Sequence, residues 1–118
     1  EFEQEVNYQK SAYWLKRAAD QGDAASQYNL AIQYFRGFGI EKNLEQAFKY
    51  YKLAAEQGHS GAQIQLALRY LYGEGTAISL DRADYWYKQA ESHADQDLMQ
   101  YMDEFKQNAQ QIKQQANS

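Results

Sequence analysis

Two histidines, His59 and His93, a few Ser and Asp residues, and the loop Gly73-Glu74-Gly75 are where this 118-residue chain could hold reactive chemistry. A histidine can serve as a general base or as a metal ligand. Neither one here has a second ligand at metal spacing. His59 stands opposite Asp23 in the repeat described below, so the position reads as variable and the side chain as a surface histidine. No Ser, His and Asp form a recognisable nucleophile context. Gly73-Glu74-Gly75 is not a phosphate loop, because no third Gly or Lys follows and no strand precedes it. The acids Asp81, Asp84, Glu91, Asp95 and Asp97 gather around the last arm. They read as a solvated face, with attraction of a basic partner as the alternative. The absence of Cys excludes disulfides and thiolate metal sites. No catalytic residue, metal or cofactor is expected.

The chain carries a net charge of −4. Phosphate backbones require clustered Lys and Arg, whereas Lys10, Lys16, Arg17, Lys49, Lys52, Arg82 and Lys88 are interleaved with acids. A nucleic-acid partner is therefore not expected. No apolar run approaches the roughly 18 residues needed to span a membrane. No signal peptide is visible and the first residue is not Met, as expected of a mature or partial chain. A monomer is the favoured state.

What must position any functional residue is a repeat. Gly22, Leu30, Gly37, Gly39 and Ala47 recur as Gly58, Leu66, Gly73, Gly75 and Ala83, each offset by 36 residues (58 − 22 = 36; 83 − 47 = 36). A period of this size marks stacked helical hairpins. Over Ala24–Arg36, Ser26, Leu30, Ala31 and Tyr34 share one helix face. Gly37-Phe38-Gly39 breaks that helix. Asn43 caps the next, with Gln46 as capping-box partner, and Gly58 ends it in the left-handed conformation. Leu44, Ala47, Phe48, Tyr51, Ala54 and Ala55 face inward. The second unit repeats this, with a first helix over Ser60–Tyr72 and Ser79 capping the next, which runs to about Ser92. Alanines such as Ala18, Ala19, Ala54 and Ala55 allow close helix approach, and Trp14, Tyr50, Tyr51, Trp86 and Tyr87 fill the wider gaps.

The expected fold is all-α: an α-α superhelix, or solenoid, of about six antiparallel helices in one domain over 1–118. A half-unit helix over 3–21 precedes repeats at 24–57 and 60–92, and a capping helix over 95–115 follows. The third copy decays. Ala94 stands where Gly22 and Gly58 do, Glu91 replaces the alanine of Ala19 and Ala55, and no Gly-x-Gly follows Met102. A polar tail with Gln107, Gln110, Gln111, Gln114 and Gln115 suits a terminal cap, and about 114–118 is expected to fray.

The unit AASQYNLAIQYFRGFGIEKNLEQAFKYYKLAAEQG resembles the Sel-one-like repeat family, relatives of the tetratricopeptide repeats. The first copy supplies Ser26, Leu30, Ala31, Tyr34, Gly37, Gly39, Ile40, Ala47, Tyr50, Tyr51, Ala54, Ala55 and Gly58. The second supplies Ala62, Leu66, Ala67, Tyr70, Gly73, Gly75, Ala83, Trp86 and Tyr87, and the opening helix matches through Trp14, Ala18, Ala19 and Gly22. Ala31 and Ala67 replace a usual Gly, which implies slightly wider arm packing, and Thr76 replaces a usual Val. The resemblance implies a superhelix acting as scaffold, adaptor or inhibitor, in a bacterial periplasm or secreted. A structural piece of a longer repeat protein is the alternative. Hydrolase activity, suggested for some members, is the remote one.

Within that architecture the first arms line the concave side. Opposite Ser26, Leu30 and Tyr34 lie Tyr28, Ile32, Phe35 and Arg36, with Asn29 and Gln33 alongside. The second unit has Ile64, Leu68, Leu71 and Tyr72, with Gln65 and Arg69. A face meeting only water would be polar, and apolar surface rich in aromatics and Arg marks interaction sites. The expected ligand is a peptide or helix of another protein, bound by Tyr28, Asn29, Ile32, Phe35, Arg36, Ile64, Gln65, Leu68, Arg69 and Tyr72. The competing reading is that superhelical curl, or the final helix with Leu98, Tyr101, Met102 and Phe105, buries these residues.

Overall fold

A computed structural model describes residues 2–93 and 96–116, with side chains except over 96–101. Six helices follow one another among these residues: α1 (Phe2–Asp20), α2 (Ala24–Arg36), α3 (Leu44–Glu56), α4 (Ser60–Tyr72), α5 (Leu80–Glu91) and α6 (Gln96–Ala116). Each packs on the next as far as α5, and α6 lies against both α4 and α5, giving an elongated body of 48 × 27 × 24 Å. This is the helical solenoid expected from the repeat.

The N-caps explain where the arms start. Asn43 Oδ1 accepts from Gln46 N at 3.0 Å and Ser79 Oγ from Arg82 N at 3.2 Å, as the sequence indicates. The first arms are capped too. Asp23 Oδ2 accepts from Ser26 N at 2.9 Å and His59 Nδ1 from Ala62 N at 3.0 Å. The reading of position 23/59 as simply variable is therefore corrected, because both residues supply the acceptor that an exposed helix N-terminus needs.

The second glycine of each Gly-x-Gly corner joins neighbouring units. A Cβ built on Gly39 would lie 2.3 Å from the carbonyl carbon of Tyr8, and one on Gly75 would lie 2.1 Å from the carbonyl oxygen of Leu44. Tyr8 and Leu44 are themselves 36 residues apart (44 − 8 = 36), so each corner seats on the equivalent position of the preceding second arm. Gly39 and Gly75 also have φ of 70° and 79°. They are closure points between units as well as helix breakers.

Two apolar clusters run along the solenoid. Leu30, Ala31, Ala47, Tyr50 and Tyr51 centre the first, and Leu66, Ala67, Tyr70, Ala83 and Ala90 belong to the second, which extends to Met102, Phe105 and Ala109 of α6. Trp14 departs from the expected core packing and is 66% exposed. Helix α6 runs through Ala116, close to the expected end near 115, and 117–118 lie outside the described residues.

Candidate protein-interaction face

The first arms present the expected inner-face residues in two different states. On α2, Asn29 and Arg36 are exposed, while Tyr28, Ile32 and Phe35 are half-buried. On α4, Ile64, Leu68 and Arg69 are only 1%, 6% and 5% exposed. The expectation that these three line an open groove is corrected. Helix α6 carries Met102, Phe105, Ala109 and Ile112 on one stripe, and the first three are buried in the same cluster as Ile64 and Leu68. That stripe must leave water, and the second unit supplies the surface that covers it. Gln65 is half-buried and Tyr72 is partly exposed, with its hydroxyl accepting a hydrogen bond from Asn108 Nδ2 of α6. Leu98 and Tyr101 lie outside the described side chains.

In the first unit the same region stays open. A groove of about 320 Å³ runs between α1 and α2, walled by Tyr8, Ser11 and Leu15 on one side and by Asn29 and Ile32 on the other. Phe38 closes one end, with its ring stacked on Tyr8 at 4.9 Å. Gln33 holds the walls together. Its Nε2 donates to the carbonyls of Tyr8 at 2.9 Å and Phe38 at 3.0 Å, and its Oε1 accepts from Ser11 Oγ at 3.4 Å. Tyr8, Leu15 and Phe38 were not among the residues expected at the site. For Leu15 and Phe38 the signal in the sequence is positional, since they sit 36 residues before Tyr51 and Glu74, which meet Arg69.

The counterpart region of the second unit is filled. Arg69 stands where Gln33 does (33 + 36 = 69). Its guanidinium carbon lies 4.2 Å from the ring centre of Phe35 and 6.0 Å from that of Tyr51. Its Nε is 3.1 Å from Glu74 Oε1, an ion pair outside hydrogen-bond geometry, and its Nη1 donates to Gln65 Oε1 at 3.3 Å. Glu74 and Gln65 correspond to Phe38 and Asn29 (38 + 36 = 74; 29 + 36 = 65). Burial pulls the Arg69 pKa down, opposed by Glu74 and Tyr51, and burial pushes the Tyr51 hydroxyl up. Both groups act here as packed, stacked surfaces. Gln33 is shorter and neutral, and the first groove stays open.

His59 belongs to this edge. Its ring stacks on Tyr28 at 4.5 Å, and Tyr28 meets Tyr51 edge-on at 6.0 Å. Burial lowers the His59 pKa, consistent with an Nδ1 that must stay unprotonated to cap α4. The histidine is therefore a structural cap that orients Tyr28. Among the described residues, no group of three His, Asp or Glu is placed to hold a metal ion, and no helix is long and apolar enough to cross a membrane.

The Sel1 repeat pattern matches residues 2–23, 24–59 and 60–95. A Sel1 repeat protein from Oxalobacter formigenes is 38% identical over 74% of this chain, with a TM-score of 0.72, and 36% of that protein is covered. A protective antigen of uropathogenic Escherichia coli strains, displaying an SLR fold, is 29% identical over 86% of this chain and 25% of its own, with a TM-score of 0.68. The cysteine rich protein B of Helicobacter pylori shares the fold at a TM-score of 0.71, with 21% identity over 75% of this chain and 67% of that one. The chain thus spans about a third and a quarter of the first two relatives. No curated protein sequence matches. Sel1 repeats are generally protein-interaction modules rather than enzymes, and with repeats matched from residue 2 to residue 95 this chain belongs to the Sel1 repeat family.

Proposed function

We propose that this chain binds a protein partner through the inner face of its first unit, as an adaptor, scaffold or inhibitor without a catalytic step of its own. The observation that carries this reading is the contrast between the two grooves. The one at Ile32 is open, and the one at Leu68 is filled by Arg69, whose guanidinium lies over Phe35 and Tyr51. Leu15 and Ile32 offer an apolar floor, Tyr8 and Phe38 an aromatic wall, and Asn29 a polar contact. Arg36, with its guanidinium 5.9 Å from the Phe38 ring centre, places a cation at the rim. Aromatic and Arg anchors around a small pocket are the usual composition of a binding hot spot. The matching ligand is a short peptide segment that inserts one apolar side chain and carries an acid toward Arg36.

Selection of a displayed peptide library against the chain tests this. Selected peptides should bind the Ile32→Ala and Asn29→Ala variants at least tenfold more weakly, and should bind Lys52→Ala, on the exposed face of α3, unchanged. Peptides indifferent to Ile32 and Asn29 would overturn the reading. A second reading, a structural role within a longer repeat array, is favoured by the small share of its relatives that this chain spans.

A further inference from the structure

Helices α5 and α6 border a pocket of about 590 Å³. Asp84, Tyr87 and Lys88 line it from α5, and Phe105, Lys106 and Lys113 line it from α6. Its apolar part is the Phe105 ring, stacked on that of Tyr87 at 4.7 Å and 10° from parallel. In the repeat, Phe105 stands where Gln33 and Arg69 do (105 − 72 = 33; 105 − 36 = 69), and Tyr87 where Leu15 and Tyr51 do (87 − 72 = 15; 87 − 36 = 51). The third version differs in charge. Lys106 replaces Tyr34 and Tyr70, and Lys113 replaces Glu41 and Ala77, while Lys88 keeps the cation of Lys16 and Lys52. Three ammonium groups thus share the pocket with the single carboxylate of Asp84, in a chain whose net charge is −4.

These cations can change partners. Lys113 Nζ is 3.3 Å from Asp84 Oδ2 and Lys106 Nζ is 3.9 Å from Glu91 Oε2, and the four side chains are between 41% and 62% exposed. Exposed pairs of this kind contribute little. Lys88 has no ion-pair partner among the described residues. Tyr87 adds a donor in search of an acceptor. It is 7% exposed, and its buried hydroxyl makes no hydrogen bond among the described residues. Burial raises its pKa, opposed by Lys106, so the O–H keeps its proton. A buried donor without an acceptor is costly, and its presence calls for an explanation.

We propose that this pocket is a second docking site, and that its occupant is an acidic segment of a protein partner. The segment lays an aliphatic side chain against Phe105 and sets its carboxylates among Lys88, Lys106 and Lys113, with the Tyr87 hydroxyl donating to one of them. Charge-assisted hydrogen bonds to carboxylates are the strong ones, and the lysine stems cover apolar surface while their heads reach the acid. Three lysines with Asp84 and Glu91 beside them are too few and too mixed for a nucleic-acid backbone. The pocket shares no lining residue with the groove at Ile32, so the two sites are tested separately.

The test displays heptapeptides with a central Leu, Ile or Val among random Asp, Glu, Ser and Gly, and selects them on the Ile32→Ala chain, in which the first groove is weakened. The selected peptides are then made with amidated C-termini, so that only side-chain carboxylates count. They should bind the parent and Ile32→Ala within twofold of each other and weaken at least tenfold on the Lys106→Gln/Lys113→Gln variant. They should also weaken at least fivefold as NaCl rises from about 50 to 300 mM. Tyr87→Phe removes only the hydroxyl. It should bind at least threefold more weakly while melting no lower than the parent, whereas a hydroxyl with no part in binding would leave affinity unchanged. No enrichment, peptides indifferent to the two lysines, binding that survives replacement of every acid by its amide, or full affinity in Tyr87→Phe would overturn the proposal. So would a single-stranded oligonucleotide that displaces the selected peptides and binds more tightly, because the occupant would then be a nucleic acid.

Discussion

Gln57 donates its side-chain amide to Gln27 Oε1 at 2.9 Å, tying the end of α3 to the start of α2. Gln27 in turn donates to the carbonyl of Ala19 at 3.1 Å. One period on, Gln63 repeats the second bond to Ala55 O at 3.2 Å, but its Oε1 has no partner among the described residues. The residue at the position of Gln57 is His93 (57 + 36 = 93), and it is exposed. The second copy thus keeps a buried glutamine and lacks its donor.

His93→Gln should supply that donor. A buried acceptor left unpaired costs about 1–3 kcal/mol, so the substitution should raise stability by about 1 kcal/mol in urea denaturation, with the m-value unchanged. The control, Gln57→Ala, should lower stability by a similar amount.

Gly75 and Gly58 separate two costs that a glycine substitution can carry. Both have positive φ, 79° and 92°, but a Cβ on Gly58 meets nothing within 4 Å, whereas one on Gly75 falls 2.1 Å from Leu44 O. Gly58→Ala should cost about 1–2 kcal/mol, the backbone term alone. Gly75→Ala should cost distinctly more, about 3 kcal/mol or above, since overpacking adds to it. Thermal melts of the two variants against the parent check this, and equal losses would refute the role of Gly75 in closing one unit on the next.

The His59 cap makes stability depend on pH. Burial holds the folded pKa below the unfolded value of 6.5. Above pH 6.5 the ring is neutral in both states and the cap contributes fully. As pH falls below 6.5 the unfolded chain takes up the proton first, so the contribution is lost down to the folded pKa. A cap is worth about 1 kcal/mol. Asp23, capping α2, stays ionised here, because hydrogen bonds from Ser26 hold its pKa below the ordinary carboxylate value. Denaturation midpoints at pH 7.5 and 5.5 should therefore differ more in the parent than in His59→Asp, where the cap keeps its charge.

Leu68 and Ile32 occupy equivalent positions in different surroundings. Leu68→Ala should lower stability by about 2–5 kcal/mol, as for any buried leucine whose site cannot collapse. Ile32→Ala, at the half-open groove, should cost clearly less. Comparable losses would mean that the first groove is closed in solution.

The 36-residue echo carried most of the fold. Helix period, Asn43 and Ser79 as caps, and glycine corners are local features, set by which backbone conformations and hydrogen bonds a few neighbouring residues favour. The Asp23 and His59 caps are not legible in the echo because unlike side chains meet the same need for an acceptor. The inner face was legible only in part. Tyr28 and Phe35 on α2 and Ile64 and Leu68 on α4 occupy the same face of the repeated first arm, and a wheel cannot say which turns of that face other helices will cover.

The sequence by itself determined six arms, their order and their corners, because those follow from contacts within one period. Tertiary structure alone decided which equivalent positions are open. Ile64 and Leu68 are buried in a cluster that takes in Met102, Phe105 and Ala109 of α6. Trp14 is 66% exposed, while its counterpart Tyr50 is buried under Tyr34. The groove at Ile32 is empty because Gln33 is too short to do what Arg69 does. Burial is a property of what lies on the other side of a residue, and in a repeat the same residue has a different neighbour at each end of the array.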